Sequence, residues 1–436
     1  MSRNKMHKER VKTLLLVLLS ISAVFLGLRT GLFDEPLRAG GFGGSPPMRT
    51  VTDQASPAAF PTTIMVSLGD GVYHGQRMDG QGGEAESGLS TLYDLFAEHL
   101  DEALESAQAS EPVTLEAWEQ ALTDLGVFFQ YGVELPLETL ARWFGTEVYH
   151  VVGRMERLML SVSQGGVALY YMGQDGVPHR SETALDSGVL GGDIQSLAPN
   201  GAQYGFQKPA FIGIDPFTVL LAQYEGIPVI RGHNAVGSVF ELLDTMLKHF
   251  GMHLSRVRYL DVSGVRTMVE DDATLRLTEH GVIHYRCQSD TPRLAAWEGE
   301  LSLTGAIETG REIAQILERL SGEATVQLSD WHYTGSHMEE QIVLIFSYYL
   351  GGIPIWTEYP AARVVIRGGY VREVTLFART FVRTGQFSAV MPELQASAAA
   401  GGTPLALSYV YTEEGNETWR ARWLVTSRGE GVAADG

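Results

Sequence analysis

Thr274-Leu-Arg-Leu-Thr-Glu-His-Gly-Val-Ile-His-Tyr-Arg-Cys287 is two short β runs, 274–278 and 282–287, joined by a turn in which Gly281 can supply a positive φ. Just ahead of it, Phe240, Leu243, Met246, Leu247 and Phe250 recur at helical spacing over residues 239–250. The same order returns further along the chain. Residues 306–320 read as a helix, 326–332, 342–349 and 363–366 as strands, Gly368-Gly369 as a turn, and 370–378 as a closing strand. Helix followed by antiparallel strands thus occurs twice, which predicts two α+β units related by duplication.

Working outward from these units, the clearest hairpin pairs 405–411 with 418–425 and sets Tyr409, Tyr411, Trp419 and Trp423 at same-face spacing. Toward the N-terminus, a strand at 63–67 leads into a polar, glycine-rich loop at 69–88. Helical patterns follow at 89–107 and 115–124, then segments at 127–131 and 136–144, then strands around 148–152, 158–162 and 167–172. The expected fold class is α+β: an N-terminal transmembrane helix, a flexible tether, and about three mixed domains with antiparallel sheets. The expected layout is a basic tail at 1–12, a membrane helix at 13–29, a linker at 30–60 and domains at 61–175, 176–300 and 301–428, with a disordered tail at 429–436. Glycine, proline, serine and alanine without periodicity mark the linker.

Residues 13–28 contain no charge and no proline, and Arg3, Lys5, Lys8, Arg10 and Lys12 precede them. Positive charge before the first apolar helix predicts a cytoplasmic N-terminus and an extracytoplasmic body. At ~1.5 Å per residue the uncharged run spans about 24 Å, short of the roughly 30 Å hydrocarbon core unless the Lys12 stem contributes. A cleavable signal peptide is the competing reading, but the run lacks a clean small-x-small site. Ser20, Ala23 and Gly27 fall on one small-residue face that can pack closely against another membrane helix.

The first 12 residues carry a net charge of +4, so the rest of a chain of charge −20 sums to −24. Such a body repels nucleic acid and anionic headgroups, which points to proteins or cations as partners. The one cysteine, Cys287, allows no intramolecular disulfide.

Catalysis leaves recognisable clusters, and this sequence offers none that assigns a site. The glycines at 69–71 and 80–83 lack the strand-to-helix context and the lysine of a phosphate loop. His332, His337, Glu339 and Glu340 form the best metal candidate, set against the simpler reading of a solvated loop between strands. Glu270-Asp271-Asp272 has the oxygens for a hard cation but reads as solvated acids, and Cys287 in a β hairpin has no evident activator. No catalytic, metal or cofactor residue is assigned. The aromatic run 346–356, with its Gly-Gly and Ile-Pro, reads as core, with an edge that takes a partner strand as the alternative.

Trp118-Glu-Gln-Ala-Leu122, Gly126-Val-Phe-Phe-Gln-Tyr131, Glu134-Leu-Pro-Leu137, Tyr349-Leu-Gly-Gly-Ile-Pro-Ile355 and Arg367-Gly-Gly-Tyr-Val371, behind a short basic N-terminus and single span, resemble YycH. YycH and its relative YycI, also called WalH and WalI, are membrane-anchored regulators of the sensor kinase WalK. The resemblance implies a three-domain extracytoplasmic body whose last two domains are alike. It also implies no enzymatic activity, a YycI-like anchored partner, and contact with a WalK-like sensor histidine kinase partly through the membrane helix. The glycine-rich tether and the 69–88 loop depart from that pattern. The alternative function is a tethered module that binds a cell-wall polymer or peptide.

Overall fold

The computed structural model describes residues 57–77, 90–163, 165–208, 215–221, 227–241, 243–289, 293–294, 302–334, 341–388, 390, 406–413 and 417–426. All of them belong to one compact unit, Val51–Gly436. Among the described residues no helix is long and apolar enough to cross a membrane. The expected span at 13–29, with Ser20, Ala23 and Gly27, lies outside them.

The fold is mixed α+β, built on antiparallel sheets. In the first sheet are β1 (Pro61–Ser67), β2 (Tyr73–Arg77), β3 (Glu111–Pro112), β4 (Gly126–Pro136), β5 (Arg154–Ser163), β6 (Gly166–Met172) and β7 (Pro178–Glu182), in the order β2-β1-β4-β5-β6-β7-β3. Helices α1 (Ser90–Ser106), α2 (Leu115–Thr123), α3 (Leu137–Phe144) and α4 (Ser187–Gln195) accompany it. Alternation along β4 feeds two cores. Val127, Phe129 and Tyr131 pack in the main core with Leu92, Phe96, Leu100 and Leu104 of α1. Phe128 points the other way, to a smaller core with Trp118 of α2, Tyr73 and Tyr204. Both faces of this sheet are therefore buried. Thr114 caps α2 by accepting from Ala117 N at 3.2 Å, and α3 stops at Gly145, whose φ of +84° suits a left-handed C-cap.

β8 (Gln203–Tyr204) and β9 (Val219–Leu220) form a two-stranded ribbon. The second sheet holds β10 (Ile227–Asn234), β11 (Arg258–Val262), β12 (Val265–Glu270), β13 (Ala273–Thr278), β14 (Val282–Cys287), β15 (Thr325–Thr334) and β16 (Gln341–Leu350). It continues with β17 (Ile353–Ile355), β18 (Ala362–Arg367), β19 (Tyr370–Phe377), β20 (Arg379–Ser388), β21 (Ala406–Glu413) and β22 (Thr418–Thr426). The order runs β11-β12-β13-β14-β19-β18-β16-β17-β21-β22-β10-β20, with β15 on β16. Helices α5 (Val236–Glu241) and α6 (Leu243–His249) precede β11–β14, and α7 (Leu303–Glu318) precedes β15, β16, β18 and β19. The two series meet where β14 pairs antiparallel with β19, Ile283 opposite Leu376 and Tyr285 opposite Val374. Ala306, Ile307, Ile313, Ala314 and Leu317 of α7 are buried in the main core, which takes in residues of both sheets.

Side-chain bonds tie β15 to β4 and α3 to α7. Trp331 Nε1 donates to the Glu134 carbonyl at 2.6 Å, Trp143 Nε1 to Glu308 Oε1 at 2.6 Å, and Thr139 and Thr304 share a 2.9 Å bond. Residues at the end of the expected tether are seated on β15: Ala58 and Ala59 are buried, and the Ala58 carbonyl accepts from Leu328 N at 2.7 Å.

Several elements differ from expectation. The 69–88 loop contains β2. Its alternation is masked by histidine, glycine and glutamine, yet Gly75 is needed because a Cβ there would sit 2.6 Å from that of Ala202. No strand occupies 148–152: Val151 is buried, but Val152 is 89% exposed and the ladder resumes only at Arg154. Helix is found where the 239–250 pattern predicts it, over Val236–Glu241 and Leu243–His249, and starts earlier than expected.

Candidate functional site

A cleft of about 360 Å³ lies at one end of the first sheet, lined by Glu134, Val152, Gly153, Arg154, Tyr171, Gly173, Gln174, Asp175, Val177 and His179. Strand register assembles it. The pairing of β4 with β5 shifts between Gln130 and Leu135, and Glu134 lies in that irregular stretch beside the start of β5. Glu134 Oε1 accepts from Gln174 N at 2.8 Å, and Oε2 lies 3.8 Å from the Arg154 guanidinium. Arg154 in turn lies over the Trp331 ring, 4.8 Å from its centroid. Two glycines permit the close approach: a Cβ on Gly173 would fall 2.7 Å from Glu134 Oε1, and one on Gly153 would fall 2.7 Å from the Tyr171 ring.

On the far wall Tyr171 stacks on His179, ring centroids 5.1 Å apart and planes 9° from parallel. The Tyr171 hydroxyl shares a 2.7 Å hydrogen bond with Ser110. Burial raises its pKa and the Ser110 bond opposes the rise, so the phenol stays protonated at neutral pH. Asp175 Oδ1 is engaged by Val177 N at 3.0 Å. Both carboxylates are thus held by backbone N–H groups, and the parallel rings share no hydrogen bond through which His179 would activate the phenol. The cleft offers one acid–base pair, an aromatic wall and exposed Val152 and Val177, an arrangement suited to holding a small polar ligand.

Comparison with family models, curated proteins and solved structures gives no match.

The residues weighed from the sequence fall elsewhere. His332 lies half-exposed on β15, its Nδ1 3.9 Å from Asp330, while His337, Glu339 and Glu340 lie outside the described residues. Among the described residues no group of three or more His, Cys, Asp and Glu side chains is placed to hold a metal. The acids at 270–272 surround a cation after all, supplied by the chain: Arg293 reaches Asp272 at 3.0 Å, Asp271 at 3.4 Å and Glu270 at 3.5 Å. Its guanidinium also donates to the carbonyls of Gly251 and Glu270. Cys287 is buried at the end of β14. The 346–356 run is largely core, and its Ile355 pairs in parallel with Tyr411 of β21, so the strand it takes is internal.

Of the cleft residues only Glu134 stood in a quoted motif. Arg154, Tyr171 and His179 carry no spacing signal, because they come together through strand register across β4 to β7.

Proposed function

We propose that this chain is a non-enzymatic, membrane-anchored regulator of the YycH/YycI kind, acting on a WalK-like sensor histidine kinase that controls cell-wall homeostasis. In this reading the 13–29 helix spans the membrane with its N-terminus in the cytoplasm, and the body is extracytoplasmic, with about three α+β domains. Ser20, Ala23 and Gly27 form the contact face toward the kinase, and a YycI-like anchored protein is the second partner. The observation that carries the reading is the paired layout of the second sheet: helix then β11–β14, helix then β15, β16, β18 and β19, with the last strands side by side. It supports the duplication of the last two domains that the resemblance implies.

Regulation follows if body and span bind one signalling state of the kinase more tightly than the other, which shifts its population by the ratio of the two affinities. Replacing residues 13–29 with an unrelated apolar helix tests the membrane contact. Loss of signalling and of kinase co-purification is expected; if both survive the exchange, the contact face is wrong.

The cleft favours a second reading, a tethered module that binds a wall polymer or peptide. There Glu134→Gln abolishes retention on purified wall material while leaving kinase signalling unchanged.

A further inference from the structure

The exposed edges of the two sheets are treated differently. The β2 edge is covered by Asn200, whose N–H donates to the Tyr73 carbonyl at 3.1 Å while its side chain bonds both backbone groups of Gly75. The β15 edge is covered by residue 58, whose carbonyl takes the Leu328 N–H. On the β20 edge, Phe381 N donates to the Ser321 carbonyl and Glu323 N to that of Phe381, both at 2.9 Å. The remaining edge of the first sheet, β3, is two residues long and ends in Pro112. Such covering and shortening are how folds protect the unpaired backbone of an edge strand.

β11 has no such protection among the described residues. It closes the other end of the second sheet, all five of its residues are exposed, and Tyr259, Leu260 and Val262 are 56%, 59% and 56% accessible. It has no proline, and its register with β12 has no bulge. We propose that β11 is a self-association surface, on which the β11 strand of a second copy of this chain pairs antiparallel about a two-fold axis through Leu260.

The register follows from the hairpin. Ser263 and Gly264, with φ of +53° and +76°, form a two-residue turn between Val262 and Val265. In that geometry Val262, Leu260 and Arg258 direct their N–H and C=O groups to β12, which leaves those of Tyr259 and Asp261 pointing outward. A two-fold normal to the sheet keeps each residue on its own face, so paired positions must be of equal parity. Centring on Leu260 sets Tyr259 opposite Asp261 of the second copy, twice, and every outward backbone group of the two residues is bonded. Leu260 then faces its own counterpart, Arg258 faces Val262, and the charge of Asp261 is already balanced by Arg266 at 3.2 Å. Centring on Asp261 instead would bring two carboxylates together. The strand is thus complementary to itself in hydrogen bonding and in charge, which selects a second copy as the occupant. A five-residue seam falls below the ~1,200 Å² of a stable interface, so the pair exchanges rapidly and covalent trapping is the appropriate readout.

The axis places two Leu260 residues as a non-hydrogen-bonded pair with Cα atoms about 4.5 Å apart, within disulfide range. Single cysteines replace residues 258 to 262 in turn in the full-length chain in detergent micelles, with the buried Cys287 present throughout as background, and disulfide dimer is read on non-reducing gels. Leu260→Cys is expected to give roughly tenfold more dimer than Tyr259→Cys or Asp261→Cys, whose counterparts sit about 7–8 Å away on the diagonal. Adding Tyr259→Pro to Leu260→Cys removes an outward donor without touching the β12 ladder, and is expected to lower the yield roughly tenfold. Equal yields at all five positions, or no dimer from Leu260→Cys, would overturn the proposal. The cysteine scan decides the matter even if the proline variant fails to fold.

Discussion

Asp215→Ala tests most severely how the β8–β9 region is fastened to the first sheet. Asp215 Oδ2 lies 2.8 Å from Arg157 of β5, and both side chains are only 9% exposed. The same carboxylate caps Phe217 N at 2.9 Å. Arg157 also donates from Nε to Gln130 Oε1 at 3.1 Å and lies over the Phe217 ring at 5.3 Å, contacts that orient the guanidinium but do not neutralise it. Removing the carboxylate leaves a buried cation without its counter-charge, which costs about 3–5 kcal/mol. Replacing both partners, as in Arg157→Met with Asp215→Ala, removes the uncompensated charge and is expected to cost only about 1–2 kcal/mol, chiefly the lost cap and packing. Urea unfolding of the two single variants and the double variant, followed by far-UV circular dichroism, gives the coupling directly. A loss below about 1 kcal/mol in Asp215→Ala, or a double variant as unstable as the sum of the singles, would refute the assignment of this pair as a buried, mutually dependent unit.

Other perturbations follow from the same physics. Arg293→Met strips the cation from Glu270, which is 3% exposed, and is expected to cost about 3–5 kcal/mol in the same urea assay, with Arg293→Lys recovering only part because it cannot reach two carbonyls and three acids at once. Gly281→Ala puts a Cβ 2.7 Å from Asn234 Oδ1 and 2.9 Å from the Ala378 carbonyl at a φ of +83°, and is expected to lose about 2–3 kcal/mol. Burial pushes the Tyr349 phenol up to about 12. An unfolded tyrosine ionises near 10, so the unfolded chain releases its proton first. This contribution to stability is therefore intact below about pH 10 and declines by up to about 3 kcal/mol as pH rises toward 12, which absorbance at 295 nm during alkaline unfolding will report as delayed tyrosine ionisation.

How much of this was legible depended on whether the information was local. The 274–287 hairpin and the positive φ of Gly281 were readable because alternation and a glycine turn are written in adjacent residues. Helix α7 was readable because Ala306, Ile307, Ile313, Ala314 and Leu317 keep helical spacing, although its N-terminus begins earlier, at Leu303 behind the Ser302 cap. β20 was missed: Arg379-Thr-Phe-Val-Arg-Thr-Gly-Gln-Phe-Ser388 is mostly polar, and only its pairing with β10 makes it a strand. Residues 148–152 failed in the opposite sense: valines suggested a strand, but Val152 is 89% exposed and the strand begins only at Arg154. The cleft was illegible because Glu134, Arg154, Tyr171 and His179 meet through register alone. Net charge likewise hid local arrangement: the acids at 270–272 read as solvated, and it took the fold to bring Arg293 among them.

The proposal that this chain is an anchored partner of a sensor kinase is open to direct test by affinity purification of the full-length protein from detergent-solubilised membranes with mass spectrometry. Recovery of a sensor histidine kinase together with a related anchored protein is expected, both diminished when residues 13–29 are exchanged for an unrelated span. Recovery of neither, with retention of the protein on purified wall polymer, would contradict it.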